Sequence, residues 1–447
     1  MTILMYLYLF AAVEFLLIRM ARAITPLRQA PFHIPISSNG ETEFPVEWLT
    51  LKTIYHHASV NGPIPHLFRR RDLPAQLTTL GGYPLQPVMA ETTRPSPQNI
   101  AQLRQLRASG KLIRWRSLGV HTASFESTWG LIPDVSHHPS VLALAMMTYN
   151  SYLETDEGAE DWYDLGAPWN KNSSFGWESD GIRGHVFANP DNSLLVISIK
   201  GTSAGLFTGG PTGEKDKLND NMLFSCCCAR ISRAWKAVCD CYQGNEYICE
   251  SSCLEENLLK TELYYDHALE LYKDVSDRYP DATVWLTGHS LGGALASLVG
   301  QTFGVPTVTF ESPGDRMASQ RLHLPQPPGA AHMPLWHFGH TADPIFVGVC
   351  TGAASSCWYG GFAMESRCHT SKVCVWDTVN NNGWRVDIRS HRAYDVIENI
   401  IKKPEEFPLP QCKPQTDCDD CGLWEFIDKR DELNSFGSSL ENNSTCR

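Results

Sequence analysis

The chain has 447 residues, 43% of them hydrophobic, and a formal net charge of −12 at pH 7. This length and composition allow a large buried core, and one domain of about 250 residues with extensions fits them better than three equal domains. The negative charge argues against a nucleic-acid-binding protein, and Lys and Arg form no basic stripe. They cluster tightly only at Arg69–Arg71, where we expect a solvated loop.

The N-terminus is the most apolar stretch of the chain. Residues 3–18 are hydrophobic except for Glu14, and two arginines and the small-residue pattern Ala21–Ala23 follow. The run is short for a membrane-spanning helix and long for the apolar part of a signal peptide. Two interpretations therefore stay open for residues 1–23: an uncleaved signal-anchor and a cleaved signal peptide. Residues 24–120, rich in proline and without a sustained period, are expected to form an extension draped over the core.

Fifteen cysteines indicate an oxidising compartment. They crowd in the segments 226–253 and 412–446, and we expect disulfides to brace the first of these. The odd number leaves at least one thiol free or paired between chains. Zinc binding is the rival interpretation, but the pair Cys418 and Cys421 has no second pair at zinc-finger spacing.

Predicted strands and helices alternate through the middle of the chain. An amphipathic helix is predicted from His138 to Leu153, and a long helix from Leu258 to just before Pro280. The predicted strands cover residues 185–187, 194–199, 282–287, 307–310 and 335–338. A further helical run ends near Ile401. This alternation is typical of a doubly wound α/β fold with a mainly parallel sheet.

The segment Gly288–Gly292 lies between a predicted strand and a helix rich in small residues. A Gly-x-Ser-x-Gly turn at such a junction is typical of the nucleophile elbow of α/β hydrolases, in which the glycines make room for a strained serine. Ser290 is therefore the predicted nucleophile. His289, beside it, is expected to pack or to form hydrogen bonds.

A serine nucleophile needs a base and an acid that orients the base, and in α/β hydrolases they follow in the order acid, then histidine. Asp343 follows the predicted strand 335–338 at the same rim as Ser290, and His391 opens the last predicted helix. These two are the predicted acid and base. The other candidates are one acid and three histidines: Asp315, His337, His340 and His369.

An oxyanion needs two N–H donors. One is predicted at Leu291, where the helix after the elbow begins. The other is predicted at Thr202, after the strand 194–199, with its backbone N–H and its hydroxyl as candidate donors. Residues 204–210 have the glycine content of a movable flap.

Four segments together resemble the signature of the class 3 lipases, in the order found in that family. They are Lys200–Thr202, Gly288–Ala296, His340–Ile345 and Ser390–His391. The resemblance covers residues 136–400 and implies an α/β-hydrolase fold, catalytic Ser290, Asp343 and His391, and oxyanion donors Thr202 and Leu291. We therefore divide the chain into a segment 1–23, an extension 24–120, a lipase domain 121–401 with a cysteine-rich insert 226–253, and a tail 402–447.

The N-terminal apolar segment, the cysteine-rich insert and the tail resemble the fungal vacuolar, autophagy-related members of this family. That resemblance implies a type II signal-anchor glycoprotein that passes through the Golgi and multivesicular endosomes to the vacuole, with its catalytic domain in the lumen. The candidate glycosylation sites are Asn172, Asn442 and Asn443.

The resemblance further implies hydrolysis of the glycerolipid esters of autophagic-body and other intravacuolar membranes, with no cofactor. Two other functions stay open. One is a catalytically silent, lipase-like protein that binds membranes or autophagy partners. The other is a different serine hydrolase on the same fold, such as a thioesterase or a peptidase.

Overall fold

The computed structural model describes residues 47–58, 67–72, 83–101, 125–153, 163, 181–202, 213–231, 237–244, 247–261, 263–324, 333–352 and 355–428. The predicted segment 1–23, the three candidate glycosylation sites, the predicted flap 204–210 and Cys446 lie outside the described residues. Within these ranges, none of the helices has the length and hydropathy needed to span a bilayer.

A mixed sheet of ten strands forms the centre of the molecule. The described strands, in chain order, are β1 (Glu47–Ala58), β2 (Leu67–Asp72), β3 (Tyr83–Leu85), β4 (Pro87–Pro95), β5 (Phe125–Pro133), β6 (Arg183–Ala188), β7 (Leu194–Ile199), β8 (Tyr242–Gln243), β9 (Ile248–Glu250), β10 (Thr283–His289), β11 (Thr307–Phe310), β12 (Leu335–His340), β13 (Lys372–Trp376), β14 (Lys413–Pro414) and β15 (Glu425–Ile427). The strand order across the sheet is β14-β13-β12-β11-β10-β7-β6-β1-β2, with β3 paired to β1. From β7 to β13 the neighbours in this order are parallel.

Helices cover both faces of the sheet. They are α1 (His138–Asn150), α2 (Gly213–Phe224), α3 (Ser251–Lys260), α4 (Tyr264–Arg278), α5 (Leu291–Phe303), α6 (Arg316–Arg321), α7 (Ser356–Gly360), α8 (Thr378–Asn382) and α9 (Ala393–Val396). A 3-10 turn, Ile388–His391, precedes α9, and a π-helical turn, Ile397–Ile401, follows it. The parallel sheet with helices on both faces is the predicted doubly wound arrangement.

Strand β7 shows why its sequence forms a central strand. Leu195 and Ile197 pack with helices α4 and α5 in one core. Leu194 and Val196 point to the other face, into the core that contains α1 and the π-helical turn. A strand buried on both faces is hydrophobic throughout rather than alternating, as the run 194–199 is.

The predicted extension contributes strands to this same sheet. β1 pairs antiparallel with β6, and β2 continues the sheet beyond β1. Arg69–Arg71 lies within β2, so the expected solvated loop is wrong. The predicted boundary near residue 121 therefore does not coincide with an edge of the sheet, because β6, one of the strands paired with β1, lies more than 120 positions further along the chain.

The long helix predicted up to Pro280 is two helices. Helix α3 ends at Lys260, and Thr261 has extended backbone angles, φ −86° and ψ 132°. Helix α4 begins at Tyr264, whose N–H donates to Asn219 Oδ1 of α2 at 2.8 Å. A side chain of α2 thus accepts from an N–H group at the start of α4 that has no partner within the helix. The apolar period of the local sequence does not predict this contact.

Seven disulfides join the described cysteines. They are Cys226–Cys421, Cys227–Cys249, Cys228–Cys239, Cys241–Cys253, Cys350–Cys357, Cys368–Cys418 and Cys374–Cys412. The prediction that disulfides brace the segment 226–253 is confirmed. Both cysteines of the candidate zinc pair, Cys418 and Cys421, are disulfide-bonded, and a disulfide sulfur is not the thiolate that zinc requires. Three of the bridges also fasten the tail to the domain.

Candidate active site

The predicted site residues lie at one rim of the sheet. Strands β7, β10, β11 and β12 are parallel neighbours, so their carboxyl ends point the same way. The residues that leave these four ends include Thr202, Ser290, Glu311 and Asp343. Ligands of open parallel sheets bind at this rim.

Ser290 lies on a strained turn between β10 and α5. Its backbone angles are φ 57° and ψ −133°, which few residues other than glycine adopt. A Cβ on Gly288 would collide with the backbone of Gly292, and a Cβ on Gly292 would collide with the carbonyl of Ile199. Both glycines are thus required for the close approach of strand, turn and helix, which is the geometry of a nucleophile elbow.

A chain of hydrogen bonds joins Ser290, His391 and Asp343. His391 Nε2 is 2.9 Å from Ser290 Oγ, and His391 Nδ1 is 2.7 Å from Asp343 Oδ2. Because a carboxylate only accepts, Nδ1 carries the hydrogen and the Nε2 lone pair faces the serine hydroxyl. The structure therefore brings the three predicted residues together; that they catalyse a reaction stays a prediction.

Asp343 is fully buried, and its surroundings favour the carboxylate form. Burial alone would raise the pKa of Asp343, but the charge and the hydrogen bond of His391 outweigh it and bring the pKa to about 2. The N–H of Ile345 also donates to Asp343 Oδ1 at 2.8 Å. The acid stays ionised whenever the imidazole beside it is needed as a base.

His289 positions the backbone of His391. Its Nδ1 lies 2.8 Å from the Tyr152 hydroxyl, and its Nε2 lies 2.7 Å from the carbonyl oxygen of His391. Burial, followed by the neighbouring His391, lowers the pKa of His289 to about 3, so this ring is neutral. The expectation that His289 forms hydrogen bonds agrees with these contacts.

The alternative acid lies in a different cluster. Asp315 accepts hydrogen bonds from the Ser297 hydroxyl at 2.6 Å and from the Thr370 N–H at 2.7 Å. Two of the rival histidines, His337 and His369, surround the same carboxylate. The third, His340, donates from Nε2 to the Ser390 carbonyl at 3.0 Å. None of these contacts involves the Ser290 hydroxyl.

Thr202 lies beside the elbow, three residues beyond the end of β7, which is the neighbour of β10 in the sheet. A Cβ on Gly292 would come within 2.7 Å of the Gly201 nitrogen, which shows how closely the two turns approach. The Thr202 hydroxyl donates to Asp220 Oδ2 of α2 at 2.6 Å. Burial raises the pKa of Asp220 well above its usual range. The hydroxyl is thus held by α2, which leaves the backbone N–H as the donor of Thr202 toward a substrate.

Lys200 is buried directly before the turn Gly201–Thr202. Its Nζ donates to the Gly201 carbonyl at 2.9 Å, and burial lowers its pKa to about 8. The ammonium therefore fastens the same turn that carries Thr202.

A cavity of about 470 Å³ borders the loop that carries His391. Its lining combines the ring of Trp384 with Arg385, Arg389 and Arg392. Arg389 is already paired with Asp387 at 2.7 Å. The cavity thus offers an aromatic wall, three arginines and two aspartates, Asp387 and Asp395, beside the loop that carries His391.

The sequence interpretation did not single out two buried acids at the rim. Asp220 reaches Thr202 from helix α2, and Glu311 directly follows β11, where its carboxyl lies against Asp343. The sequence signal that could have identified Glu311 is its position directly after a strand, because the same kind of position indicated Asp343.

Comparison with known proteins gives matches in one family. A family model described as "Lipase (class 3)" matches residues 231–305, which include the elbow. A Candida glabrata protein named "Putative lipase ATG15" is 50% identical over 307 residues, 67% of this chain and 60% of that protein. The protein of the same name from Saccharomyces cerevisiae is 49% identical over 306 residues, 67% of this chain and 58% of that protein.

The match thus covers less than two thirds of the length of these relatives. Among solved structures, Lip2 lipase from Yarrowia lipolytica is 14% identical, over 52% of this chain and 76% of that one, with a TM-score of 0.27. The family match and the identities to the yeast proteins confirm the resemblance to the class 3 lipases that the motifs indicated.

Proposed function

We propose that this chain is a serine lipase that hydrolyses the acyl esters of membrane glycerolipids, with Ser290 as nucleophile, His391 as base and Asp343 as orienting acid. The observation that carries the proposal is the hydrogen-bond chain from Ser290 Oγ through His391 to Asp343, with contacts of 2.9 and 2.7 Å. Ser290 lies on a strained elbow at the carboxyl ends of parallel strands, which is where α/β hydrolases have their nucleophile.

The reaction runs through an acyl-enzyme. His391 Nε2 takes the Ser290 proton while Oγ attacks the ester carbonyl carbon, and the alkoxide of the departing glycerol then takes that proton from Nε2. Water attacks the acyl-serine and passes a proton to the same nitrogen. The fatty acid leaves as the proton returns to Ser290, and Asp343 stays ionised throughout.

Two backbone N–H groups are proposed to hold the oxyanion. Leu291 is the first residue of α5, where N–H groups lack partners within the helix and the helix dipole favours negative charge. Thr202 lies on the adjacent turn, fastened through Asp220 and Lys200. Donors fixed before the reaction stabilise the developing charge without a reorganisation cost.

Membrane phospholipids are the proposed substrates, and intravacuolar membranes such as those of autophagic bodies the proposed target. Three considerations support this: the ATG15 name of the curated yeast relatives, the cavity lined by Trp384 and three arginines beside the loop that carries His391, and the seven disulfides. Disulfides persist in oxidising compartments, so we propose that the catalytic domain works in the lumen of the secretory and vacuolar system, on an N-terminal signal-anchor. A mature N-terminus at Ile24, found by mass spectrometry, would contradict the anchor.

The test of the activity is lipid hydrolysis by the purified full-length protein. Vesicles of phosphatidylserine and phosphatidylethanolamine, and triacylglycerol emulsions, are incubated with the native protein or with Ser290→Ala, and the products are identified by mass spectrometry. Fatty-acid release that the variant loses supports the proposal. Vesicle binding without release points to the silent membrane-binding protein, and turnover confined to thioesters or peptides points to another serine hydrolase.

A further inference from the structure

Glu311 occupies a backbone position that is unfavourable for a long side chain. It directly follows β11 with φ 46°, in the left-handed region, and it is fully buried. A glycine adopts such a φ without strain, whereas other residues are conformationally strained there, and such residues concentrate at functional sites. The strained backbone of Glu311 thus holds a buried carboxyl group at the rim of the sheet.

The contacts of Glu311 lead to the triad. Its N–H donates to the Phe338 carbonyl at 2.8 Å, and its Oε2 accepts the His340 N–H at 3.3 Å. The carboxyl group lies against the carboxyl group of Asp343, and its buried Oε1 accepts no hydrogen bond from an N–H or hydroxyl donor in the described part of the chain. Two carboxyl groups can share a hydrogen bond only if one of them holds a proton.

The surroundings assign that proton to Glu311. Burial, followed by the negative charge of Asp343, raises the pKa of Glu311 well above its usual range. Asp343 has the imidazole of His391 as an additional partner, and its pKa is about 2. Repulsion between adjacent carboxylates prevents both from ionising together, and the less solvated and less supported one keeps the proton.

Two other titratable groups face this pair. On β12, His340 Nε2 lies 3.8 Å from Glu311 Oε1 but donates to the Ser390 carbonyl, while its Nδ1 accepts the Ala342 N–H at 3.2 Å. Burial lowers the pKa of His340, so its ring is neutral. On the 3-10 turn, His391 contacts Asp343 from the other side. No cation other than a protonated His391 is therefore positioned to ionise Glu311 in the described part of the rim.

We propose that Glu311 is a positioning residue of the triad: its protonated carboxyl donates a hydrogen bond to Asp343 and holds that carboxylate toward His391. The catalytic consequence rests on the proposed function. A hydrogen bond to the carboxylate disperses its charge and weakens its attraction for a protonated imidazole, which favours the neutral base. A carboxylate held in this way keeps its hydrogen bond to His391 Nδ1, so that the Nε2 lone pair stays directed at the Ser290 hydroxyl.

Two substitutions separate the hydrogen bond from the carboxyl group itself. Glu311→Gln keeps a donor for Asp343 and an acceptor for the His340 N–H but cannot ionise. Glu311→Gly fits the backbone and removes both. We expect the kcat/KM of Glu311→Gln at pH 5 to stay within about threefold of the native value. That of Glu311→Gly should fall by roughly tenfold, because the Asp343 carboxylate then loses its donor.

The pH profile distinguishes positioning from a merely structural role. The tenfold gap between the two variants should narrow as pH rises toward 8, because the proposed effect concerns competition between a proton from solvent and the Ser290 proton for the base. An equal loss at every pH, or a Gly profile identical to the Gln profile, would overturn the proposal.

A second measurement needs no catalysis and uses the Ser290→Ala protein. The infrared difference spectrum between this protein and its Glu311→Gln variant at pH 7 should show the loss of one protonated-carboxyl C=O band, which is separate from any band of the buried Asp220, and the matched difference for Asp315→Asn should show no such loss. Because a buried neutral acid is ionised more readily in the unfolded chain, its contribution to stability falls as pH rises above about 4.5. Glu311→Gln should therefore stabilise the protein more at pH 8 than at pH 5.

The two readouts separate this inference from the proposed function. If the band is present and assigned to Glu311 but no lipid is hydrolysed, the function fails and the proton on Glu311 stands. If lipids are hydrolysed and the band does not change in Glu311→Gln, the inference fails and the function stands.

Discussion

Two clusters in this protein contain the same residue types. In the rim cluster, formed by Ser290, His391 and Asp343, the serine contacts the imidazole and the imidazole contacts the acid. In the interior cluster, formed by Ser297, Asp315, His337 and His369, the serine hydroxyl donates directly to the acid. The two rings of the interior cluster point their Nε2 atoms at the backbone carbonyls of Thr370 and Ser312, at 2.8 and 3.0 Å.

Connectivity and access separate the two clusters. A serine becomes a nucleophile when an imidazole lone pair accepts its proton, and Ser297 has a carboxylate in that place. Ser297 is 0% exposed and lies within α5, about two turns after Ser290, whereas the His391 side chain is 12% exposed. The interior cluster is a structural hydrogen-bond network, and the rim cluster alone can meet a substrate.

The largest expected effect is that of the serine. Ser290→Ala should keep the fold and reduce ester hydrolysis by about four to six orders of magnitude, because the nucleophile of a concerted triad is lost. The matched change Ser297→Ala should leave hydrolysis within a few fold and lower stability by about 1–3 kcal/mol, since a buried carboxylate loses a donor. Hydrolysis assays and denaturant titrations measure the two effects. Full lipolysis by a well-folded Ser290→Ala protein would refute the nucleophile assignment.

Replacement of the histidine should have the second largest effect on activity. His391→Ala removes the base and should cost nearly as much activity as Ser290→Ala. His369→Gln, in the interior cluster, keeps a side-chain donor near the Ser312 carbonyl and should leave kcat largely unchanged. A loss in His369→Gln comparable to that in His391→Ala would show that the two clusters are coupled.

The acid should show a smaller effect than the serine and histidine. Asp343→Asn keeps the size of the side chain but removes the charge that supports the imidazolium, and we expect a loss of about 10²–10⁴ in kcat. Asp315→Asn should change kcat little and the unfolding midpoint clearly, because Asp315 accepts from Ser297 and from the Thr370 N–H. If Asp315→Asn proves the more damaging to kcat, the acid belongs to the interior cluster.

Acid should destabilise the protein through its buried neutral histidines. Burial lowers the pKa of His289 to about 3 and that of His369 to about 4, so the unfolded chain binds more protons below about pH 6.5. Stability contributed by each ring is thus lost as pH falls from about 6.5 toward the folded value, by about 2 kcal/mol for His289 between pH 7 and pH 5. Denaturant midpoints across this range should fall less in His289→Gln. A midpoint that rises toward pH 5 in the native protein would contradict this prediction.

Local signals in the sequence predicted the elements of the site. The glycines around Ser290, the apolar runs of β7, β10, β11 and β12, and the position of Asp343 after a strand are features of short segments. Backbone sterics and hydrophobic periodicity act over a few residues, which is why they can be interpreted without the fold. The number and crowding of the cysteines likewise predicted disulfides, and the structure confirms them.

Only the tertiary structure decided which groups meet. Asp343 and His391 are 48 positions apart, and Asp315 satisfied the same sequence criterion as Asp343 until its hydrogen bonds to Ser297 and Thr370 were seen. The same holds for four other features: the pairing of β1 with β6, the break before α4, the disulfide partners and the proton between Glu311 and Asp343. Each depends on residues that folding brings together from distant parts of the chain, and no short segment contains both partners.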